Sequence, residues 1–285
     1  MNEVKKGVVL AAGFGTRFMP FAKSVSKVML PIIDTPTIEM IVDELVQSGI
    51  EEILIVVGFN KQIVINHFTQ NKVLEKKFEN KPDYLHLITK QQKVKISFVE
   101  QKTVNGTGGA LLHAKKFVGN DPFVMTFSDD LMRSEVPVAK QLIDVYHKTG
   151  KMVLGCQRVT KQQVTKYCSV NYNKKQGNTY YVTDVVEKPK LEDVRSTLSC
   201  LGRYVFTPKI FNYLKNLKPN PQSGELCLTD TFTPIAEHEG LVAHVFDAVR
   251  YDIGDKFGYL TAVVDYALEN EEYSKRLKDH LKKKL

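Results

Sequence analysis

No stretch of the 285 residues approaches the ~20 consecutive apolar side chains that a membrane-spanning helix needs. The first residues, MNEVKKGVV, lead straight into strand-like sequence with no signal-peptide core. The cytoplasm is therefore the expected location, and a membrane is not an expected partner. Cysteine is scarce. Cys156, Cys168, Cys200 and Cys227 lie far apart and form no CxxC pair, which argues against a structural zinc site and against a disulfide framework. They read as reduced thiols in or near the core. A basic stripe interleaved with aromatics is also missing. The net charge is +8, but between Lys275 and Leu285 the only acid is Asp279, against Lys275, Arg276, Lys278, Lys282, Lys283 and Lys284. The body is thus only weakly basic, and nucleic acid is not an expected partner. Repeats, low-complexity runs and clear linkers are absent too. A chain of this length, 43% hydrophobic and 25% charged, can bury a sizeable core as one globular unit.

Two common phosphate-binding spellings are missing as well. The loop GxxxxGK[ST] fails because Gly13 is followed five residues on by Phe18 and no Gly-Lys-Ser/Thr lies nearby. The dinucleotide fingerprint GxGxxG begins at Gly13 and Gly15 but meets Phe18 in place of its third glycine, and Pro20 would interrupt the helix it opens. What is present is a buried-strand run, Val8 to Ala12, followed at once by Gly13, Gly15 and Thr16, with Arg17, Lys23 and Lys27 close behind. Glycine allows close backbone approach, and successive N–H groups converge on an anion. Residues Gly7 to Pro36 read as a phosphate cradle between a strand and a helix, suited to a nucleoside triphosphate. The bland alternative is a glycine-bearing surface turn with scattered cations.

Elsewhere the chain alternates strand and helix. Thr35-Pro36 looks like an N-cap with proline at the first helical position, and the stripe Ile38, Ile41, Val42, Leu45 and Val46 ends at Gly49. Strands are expected at Ile53 to Val57, Lys95 to Val99 and Phe123 to Phe127, and helices at Asn60 to Phe68 and Ala110 to Val118. The charged stretch Lys72 to Gln92 reads as a loosely helical peripheral excursion. In the second half, Thr165 to Val170 and Thr179 to Val186 read as a hairpin across Asn173 to Asn178. Strands at Leu198 to Phe206 and Leu241 to Phe246 bracket helical segments at Pro208 to Leu214 and Asp230 to His238. The expected fold is α/β, with a Rossmann-like mixed, mainly parallel sheet flanked by helices and antiparallel hairpin elements added in the second half. It forms one domain, with one half at about 1–150, which carries the phosphate cradle, a second at about 151–270 and a basic helix at about 271–285. Tyr273, Leu277, Leu281 and Leu285 give that last helix one apolar edge, to dock on the body or on a second subunit. A homo-oligomer, dimer or tetramer, is the expected assembly.

Four further segments stand out. Gln101 to Ala110 follows a strand, and a glutamine amide beside Gly106 and Gly108 suits a pyrimidine edge; a plain helix-opening turn is the alternative. Ser128-Asp129-Asp130 leaves the carboxyl end of a strand, where open α/β sheets bind ligands, and paired acids there suit Mg²⁺; a turn or cap is the alternative. Val185-Val186-Glu187-Lys188-Pro189 and Tyr251-Asp252-Ile253-Gly254 read by themselves as a solvated strand edge and a helix-start acid.

The string LAAGFGTRFMPFAKSVSKVMLPIIDTP resembles the signature of the sugar nucleotidyltransferase superfamily, and most closely that of the bacterial UTP-glucose-1-phosphate uridylyltransferases. Further matches recur in order as far as Tyr259, so the resemblance covers nearly the whole chain. It implies synthesis of UDP-glucose and pyrophosphate from UTP and glucose 1-phosphate, with Mg²⁺ as cofactor and those two small molecules as partners. It also implies nucleotide contacts at Ala11, Ala12, Gly13, Gly15, Thr16, Gln101 and Gly106, and catalytic cations at Arg17, Lys27 and Lys188. Asp130, Glu187 and Lys188 would meet the sugar phosphate, Asp129 and Asp252 the metal, and segments 224–226 and 228–230 would close the sugar side. The chain departs from the family at Ala22, Ser26, Gly109 and Cys168, where the family spelling has Thr, Pro, His and Gly. Gly109 bears on nucleotide preference, and Cys168 on the width of the sugar pocket. Another nucleotide or sugar 1-phosphate, a non-catalytic nucleotide-sugar regulator and an NAD enzyme are the alternatives.

Overall fold

The computed structural model describes residues 2–90, 94–220 and 224–284. Its strands are β1 (Lys6–Ala11), β2 (Pro31–Ile32), β3 (Thr35–Pro36), β4 (Glu52–Val57), β5 (Lys95–Glu100), β6 (Phe123–Phe127), β7 (Asp130–Arg133), β8 (Met152–Arg158), β9 (Cys168–Gln176), β10 (Thr179–Glu187), β11 (Leu198–Phe206), β12 (Leu241–Val245) and β13 (Val249–Asp252). Among the described residues, nine of them form one sheet in the order β5-β4-β1-β6-β11-β8-β12-β10-β9. The pairings leave only β11 and β10 running against the rest, so the sheet is mixed and mainly parallel, as the sequence leads one to expect. β2 pairs with β3 and β7 with β13 in two small antiparallel ribbons.

Alternation along the strands builds two cores, one on each face of the sheet. On β1, Val8 and Leu10 enter one core with Phe123, Met125, Tyr204 and Phe206, covered by helices Thr107–Leu112, Ile210–Lys215 and Phe232–His238. Val9 and Ala11 enter the other, with Ile53, Ile55 and Val205, covered by helices Thr37–Gln47, Lys61–Phe68 and Val138–Thr149.

Several elements depart from the sequence reading. Thr35-Pro36 is strand β3, and the helix begins one residue later, because the glycine-bearing loop returns through the β2–β3 ribbon. The loop itself folds as three short 3₁₀ turns, Thr16–Phe18, Phe21–Lys23 and Lys27–Met29, so no helix follows it directly. The expected hairpin starts at Cys168, and its strands run to a tight turn at Gly177, φ +58°, so Asn173 to Gln176 is strand. Helix Val138–Thr149 and strand β8 lie between the expected elements at Phe123 to Phe127 and Thr165 to Val170, where the sequence reading gives none. Lys72 to Gln92 contains two helices, Lys72–Lys77 and Pro82–Thr89, and Gln92 lies outside the described residues. Helix Ser274–Lys282 packs on helix Lys256–Glu269 with Tyr273, Leu277 and Leu281 half-buried, while Leu285 lies outside the described residues. No helix among the described residues is long and apolar enough to cross a membrane.

Glu39, on the first long helix, is buried and meets Lys90 Nζ at 2.5 Å and His67 Nε2 at 2.7 Å. Burial alone raises its carboxyl, but hydrogen bonds from His67 and Lys90 outweigh it and bring the pKa down to about 2. A carboxyl depressed on folding contributes stability above its unfolded value, and that stability is lost as pH falls through the folded one. The loss here is about 3 kcal/mol, between pH about 4.5 and about 2. Glu39→Gln is expected to be less stable at pH 7 yet to lose less over that window. Parallel acid limbs of wild type and variant in thermal melts would dismiss the assignment.

Candidate active site

The carboxyl end of β1 delivers Ala12 and Gly13 to the sheet edge, where the chain breaks into the 3₁₀ turns. Gly15 takes φ +65°, and a Cβ there would stand 3.0 Å from Lys27 Cβ, so the loop folds back tightly on the lysine stem. Phe18, which replaces the third glycine of a dinucleotide loop, is buried edge-on against Tyr259, whose hydroxyl donates to Pro31 O at 2.8 Å. The loop is thus anchored by an aromatic pair instead of a helix. Lys27 Nζ reaches across to Asp129 Oδ2 at 2.5 Å, with its side chain 13% exposed.

A cavity of about 450 Å³ opens between this loop and the turn after β5. Ala12, Gly13, Arg17, Lys27, Gln101, Gly106 and Asp129 all line it. A second cavity of about 260 Å³ adjoins it, sharing Thr107, Phe127 and Glu225, and is lined by Tyr167, Cys168, Glu187, Lys188, Tyr204, Cys227 and Thr229 among others. One site is therefore rich in loop backbone and cations, and its neighbour in hydrogen-bonding side chains. Backbone bonds from Leu226 N to Asn105 O (2.7 Å) and from Gly108 N to Leu226 O (2.8 Å) tie the two walls together.

The carboxylates meet through the β7–β13 ribbon. Its register sets Asp252 opposite Asp130, and Ile253 N donates to Asp129 O at 2.9 Å. Gly254 completes the cradle: a Cβ on it would lie 2.8 Å from Asp129 Oδ2, 3.1 Å from Asp252 Oδ1 and 3.2 Å from Arg17 Nη2. Burial raises the Asp129 carboxyl, but the Lys27 ammonium, with Arg17 and Arg250 behind it, more than offsets this and the net direction is down. Asp129 is ionised. Asp130 behaves oppositely: burial pushes it up against the pull of Arg250, and Asp129 and Asp252 add to the push. Its carboxylate is held by Arg250, whose Nε lies 2.6 Å away and whose Nη2 also contacts it. Arg250 also donates to Tyr167 Oη at 3.1 Å, and Tyr167 Oη donates to Asp252 Oδ2 at 3.2 Å. Two carboxylates beside a cation-lined loop are an oxygen set that fits a hard divalent ion, which completes its shell with water and phosphate. No group of three or more His, Cys, Asp or Glu side chains that could hold a metal ion occurs among the described residues.

In the second cavity, Lys188 takes φ +43° and donates its N–H to Tyr167 O at 2.8 Å, and its Nζ lies 3.7 Å from Glu187 Oε1. Burial pushes the Glu187 carboxyl up, opposed by Thr229 and Lys188. Cys168 is buried, and its Sγ accepts from Cys200 N at 3.3 Å, so the sulfur sits largely in the core. Hydrogen bonding to Cys200 and burial push the Cys168 thiol well up, and burial does the same to Cys200, which disfavours the thiolate at both. All four cysteines are free thiols.

A nucleotidyl transferase family model matches residues 6–269, which includes every loop just described. The chain belongs to the nucleotidyl transferase family. Among curated proteins, the UTP–glucose-1-phosphate uridylyltransferase of Staphylococcus epidermidis is 40% identical over 285 residues, covering 99% of each chain. A second enzyme of that name from Staphylococcus saprophyticus is 39% identical over 286 residues, with 99% of each covered. Among solved structures, a UDP-glucose pyrophosphorylase complexed with UDP-glucose superposes with TM-score 0.84 at 34% identity, covering 94% of this chain and 100% of the other. A UTP-bound UGPase from Acinetobacter baumannii gives 0.88 at 32% identity, with 98% of each chain covered.

Within this nucleotidyl transferase, some residues named from sequence stand apart from the cavities. Ala11 is buried in the core behind the loop, Gly15 and Thr16 shape the loop without lining either cavity, and Lys23 is exposed outside both. Asp130 and Asp252 line neither cavity; Asp252 stands beside Asp129 around Gly254, at the end of the ribbon. The sequence reading missed Asn105, Tyr167, Arg250 and Tyr204 as parts of the site. Only Arg250 carried a signal, as a cation two residues before an acid that emerges from a strand.

Proposed function

We propose that this nucleotidyl transferase makes UDP-glucose and pyrophosphate from UTP and glucose 1-phosphate. The observation that carries the reading is the pair of adjoining cavities. One has the glycine loop, Arg17 and Lys27 for a triphosphate and Gln101 with Gly106 for a base; the other has Glu187, Lys188 and Thr229 for a hydroxylated phosphate ester. The staphylococcal relatives carry that enzyme name, which supports the same substrates here.

A phosphate oxygen of glucose 1-phosphate attacks the α-phosphorus of UTP while the bond to the β-phosphate oxygen breaks in line, and pyrophosphate leaves. Such a transfer asks the protein mainly for positioning and for neutralising charge. Lys188 holds the incoming phosphate, Lys27 faces the α-phosphate region, and Arg17 meets the leaving pyrophosphate. Glu187 orients sugar hydroxyls, accepting or donating as its raised carboxyl allows. Mg²⁺ held by Asp129 and Asp252 would neutralise phosphate charge and draw both substrates together. We also read the assembly as a homo-oligomer, dimer or tetramer, in the cytoplasm. Exposed Phe257, Leu260 and Val264 on helix Lys256–Glu269 form an apolar face of the kind subunits cover, and four free thiols suit a reducing compartment.

The test is pyrophosphate release by the purified full chain with Mg²⁺, comparing UTP with dTTP, ATP and CTP, and glucose 1-phosphate with other sugar 1-phosphates, alongside Asp129→Ala. Release confined to UTP with glucose 1-phosphate, and lost in the variant, supports the reading; release with another pair moves the substrate. UTP binding without release leaves a regulator. Light scattering on the same preparation should give a multiple of 32.4 kDa, and a monomer mass would overturn the assembly.

A further inference from the structure

Tyr167 touches both the second cavity and the carboxylates. It immediately precedes β9 and lines that cavity, and its backbone carbonyl accepts the N–H of Lys188 at 2.8 Å. Its hydroxyl points the other way. Arg250 Nη1 donates to Tyr167 Oη at 3.1 Å, and the guanidinium lies over the Tyr167 ring, with Cζ 4.9 Å from the centroid. A guanidinium has donors only, so it takes a lone pair of the phenol oxygen and leaves the single phenol proton to Asp252 Oδ2, 3.2 Å away. Turned round, that proton would meet an N–H, so the direction of the bond is set. The other oxygen of Asp252 is held as well, Oδ1 accepting the N–H of Gly254 at 3.1 Å. Each oxygen of the carboxylate has one donor and keeps a further lone pair. Asp252 Oδ1 and Asp129 Oδ2 lie 3.1 and 2.8 Å from the point that a Cβ on Gly254 would occupy, so the two acids face one small space.

We propose that Tyr167 is a positioning residue for the metal carboxylate Asp252. Its hydroxyl fixes the plane of Asp252 so that the remaining lone pairs of Asp129 and Asp252 meet on one divalent cation, while its carbonyl holds the backbone of Lys188. One residue thereby keeps the ion and the cation of the second cavity in register. Partners that hydrogen-bond a ligating side chain orient it, and losing one costs about 10–100-fold in metal affinity or activity. Without the hydroxyl, Asp252 Oδ2 is left to Arg250, whose Nη2 stands 3.8 Å away and draws the carboxylate toward itself. The inference rests on the reading that Asp129 and Asp252 hold Mg²⁺.

The test follows Mn²⁺ binding to the full chain by electron paramagnetic resonance, with the Mg²⁺ concentration that half-activates pyrophosphate release and KM for glucose 1-phosphate, in wild type, Tyr167→Phe, Tyr251→Phe and Asp252→Asn. Tyr167→Phe keeps the ring and the carbonyl, so Mn²⁺ should bind roughly tenfold more weakly and half-activation should need roughly tenfold more Mg²⁺, with KM for glucose 1-phosphate within about twofold. Tyr251→Phe removes a hydroxyl from the same ribbon, one that donates to Asp265 Oδ2 at 2.9 Å. It should lower the melting temperature and leave both metal readings within about twofold. If Asp252→Asn changes neither metal reading, the ion lies elsewhere, and both the reading and the inference fail. If Asp252→Asn weakens the metal while Tyr167→Phe does not, or Tyr251→Phe weakens it equally, the carboxylates stand and the role of Tyr167 is overturned.

Discussion

Lys27→Met is expected to lower kcat for pyrophosphate release by ~10²–10³, the scale found when a group acting on transition-state charge is removed. The ammonium is 13% exposed and sits 2.5 Å from Asp129 Oδ2, in a cavity where bulk water does little to screen it. Methionine keeps the unbranched stem that packs against Gly15 and removes only the charge. A second consequence follows from the same contact. Lys27 is the leading influence holding the Asp129 carboxyl down against burial, so without it that carboxyl rises. The acid limb of whatever activity remains should move to higher pH. Lys23→Met is the control: Lys23 is exposed and lines neither cavity, so its loss should leave kcat within about threefold. Steady-state rates of both variants across pH would decide the matter. A drop of less than tenfold in Lys27→Met, or equal drops in the two, would remove Lys27 from the reaction.

The contrast between these lysines shows what the sequence could and could not convey. Both stand in one basic loop, and their spelling weights them equally. Folding separates them, because Gly15 lets the chain double back over Lys27 while Lys23 is left on an outer turn. Strands whose two faces are both buried announced themselves as apolar runs, as at Val8 to Ala12 and Ile53 to Val57. Strand β8 did not, because Gly155 interrupts it and Gln157-Arg158 ends it, and its neighbours in the sheet come from far along the chain. Helix Val138–Thr149 was legible in principle: Val138, Leu142, Val145 and Tyr146 recur at helical spacing before Gly150, φ +68°. Read by themselves, Asp129 and Asp252 are two separate acid turns, and only the family resemblance brings them together. What joins them is the β7–β13 register, a long-range pairing that no local pattern encodes.

The largest loss of stability is expected from a pair far from the chemistry. Arg203, on β11, is fully buried, with Nε 3.1 Å from both Glu44 oxygens and Nη2 2.5 Å from Oε2. Glu44 Oε1 also accepts from Ala139 N at 3.1 Å, so one carboxylate fastens the first long helix to the central strand and to the start of helix Val138–Thr149. Truncating either partner strands the other charge in the core, which costs about 3–5 kcal/mol. For a chain of this size that is a fall of roughly 10 °C in melting temperature. Glu44→Met/Arg203→Met removes both charges together, and unpaired-charge cost should disappear with them. Recovery should be incomplete, since Ala139 N–H loses its acceptor in the double variant. Melting curves of both singles and the double form the cycle. A double variant as unstable as the sum of the singles would mean that the two residues act independently, and that the buried pair is not what joins these three elements.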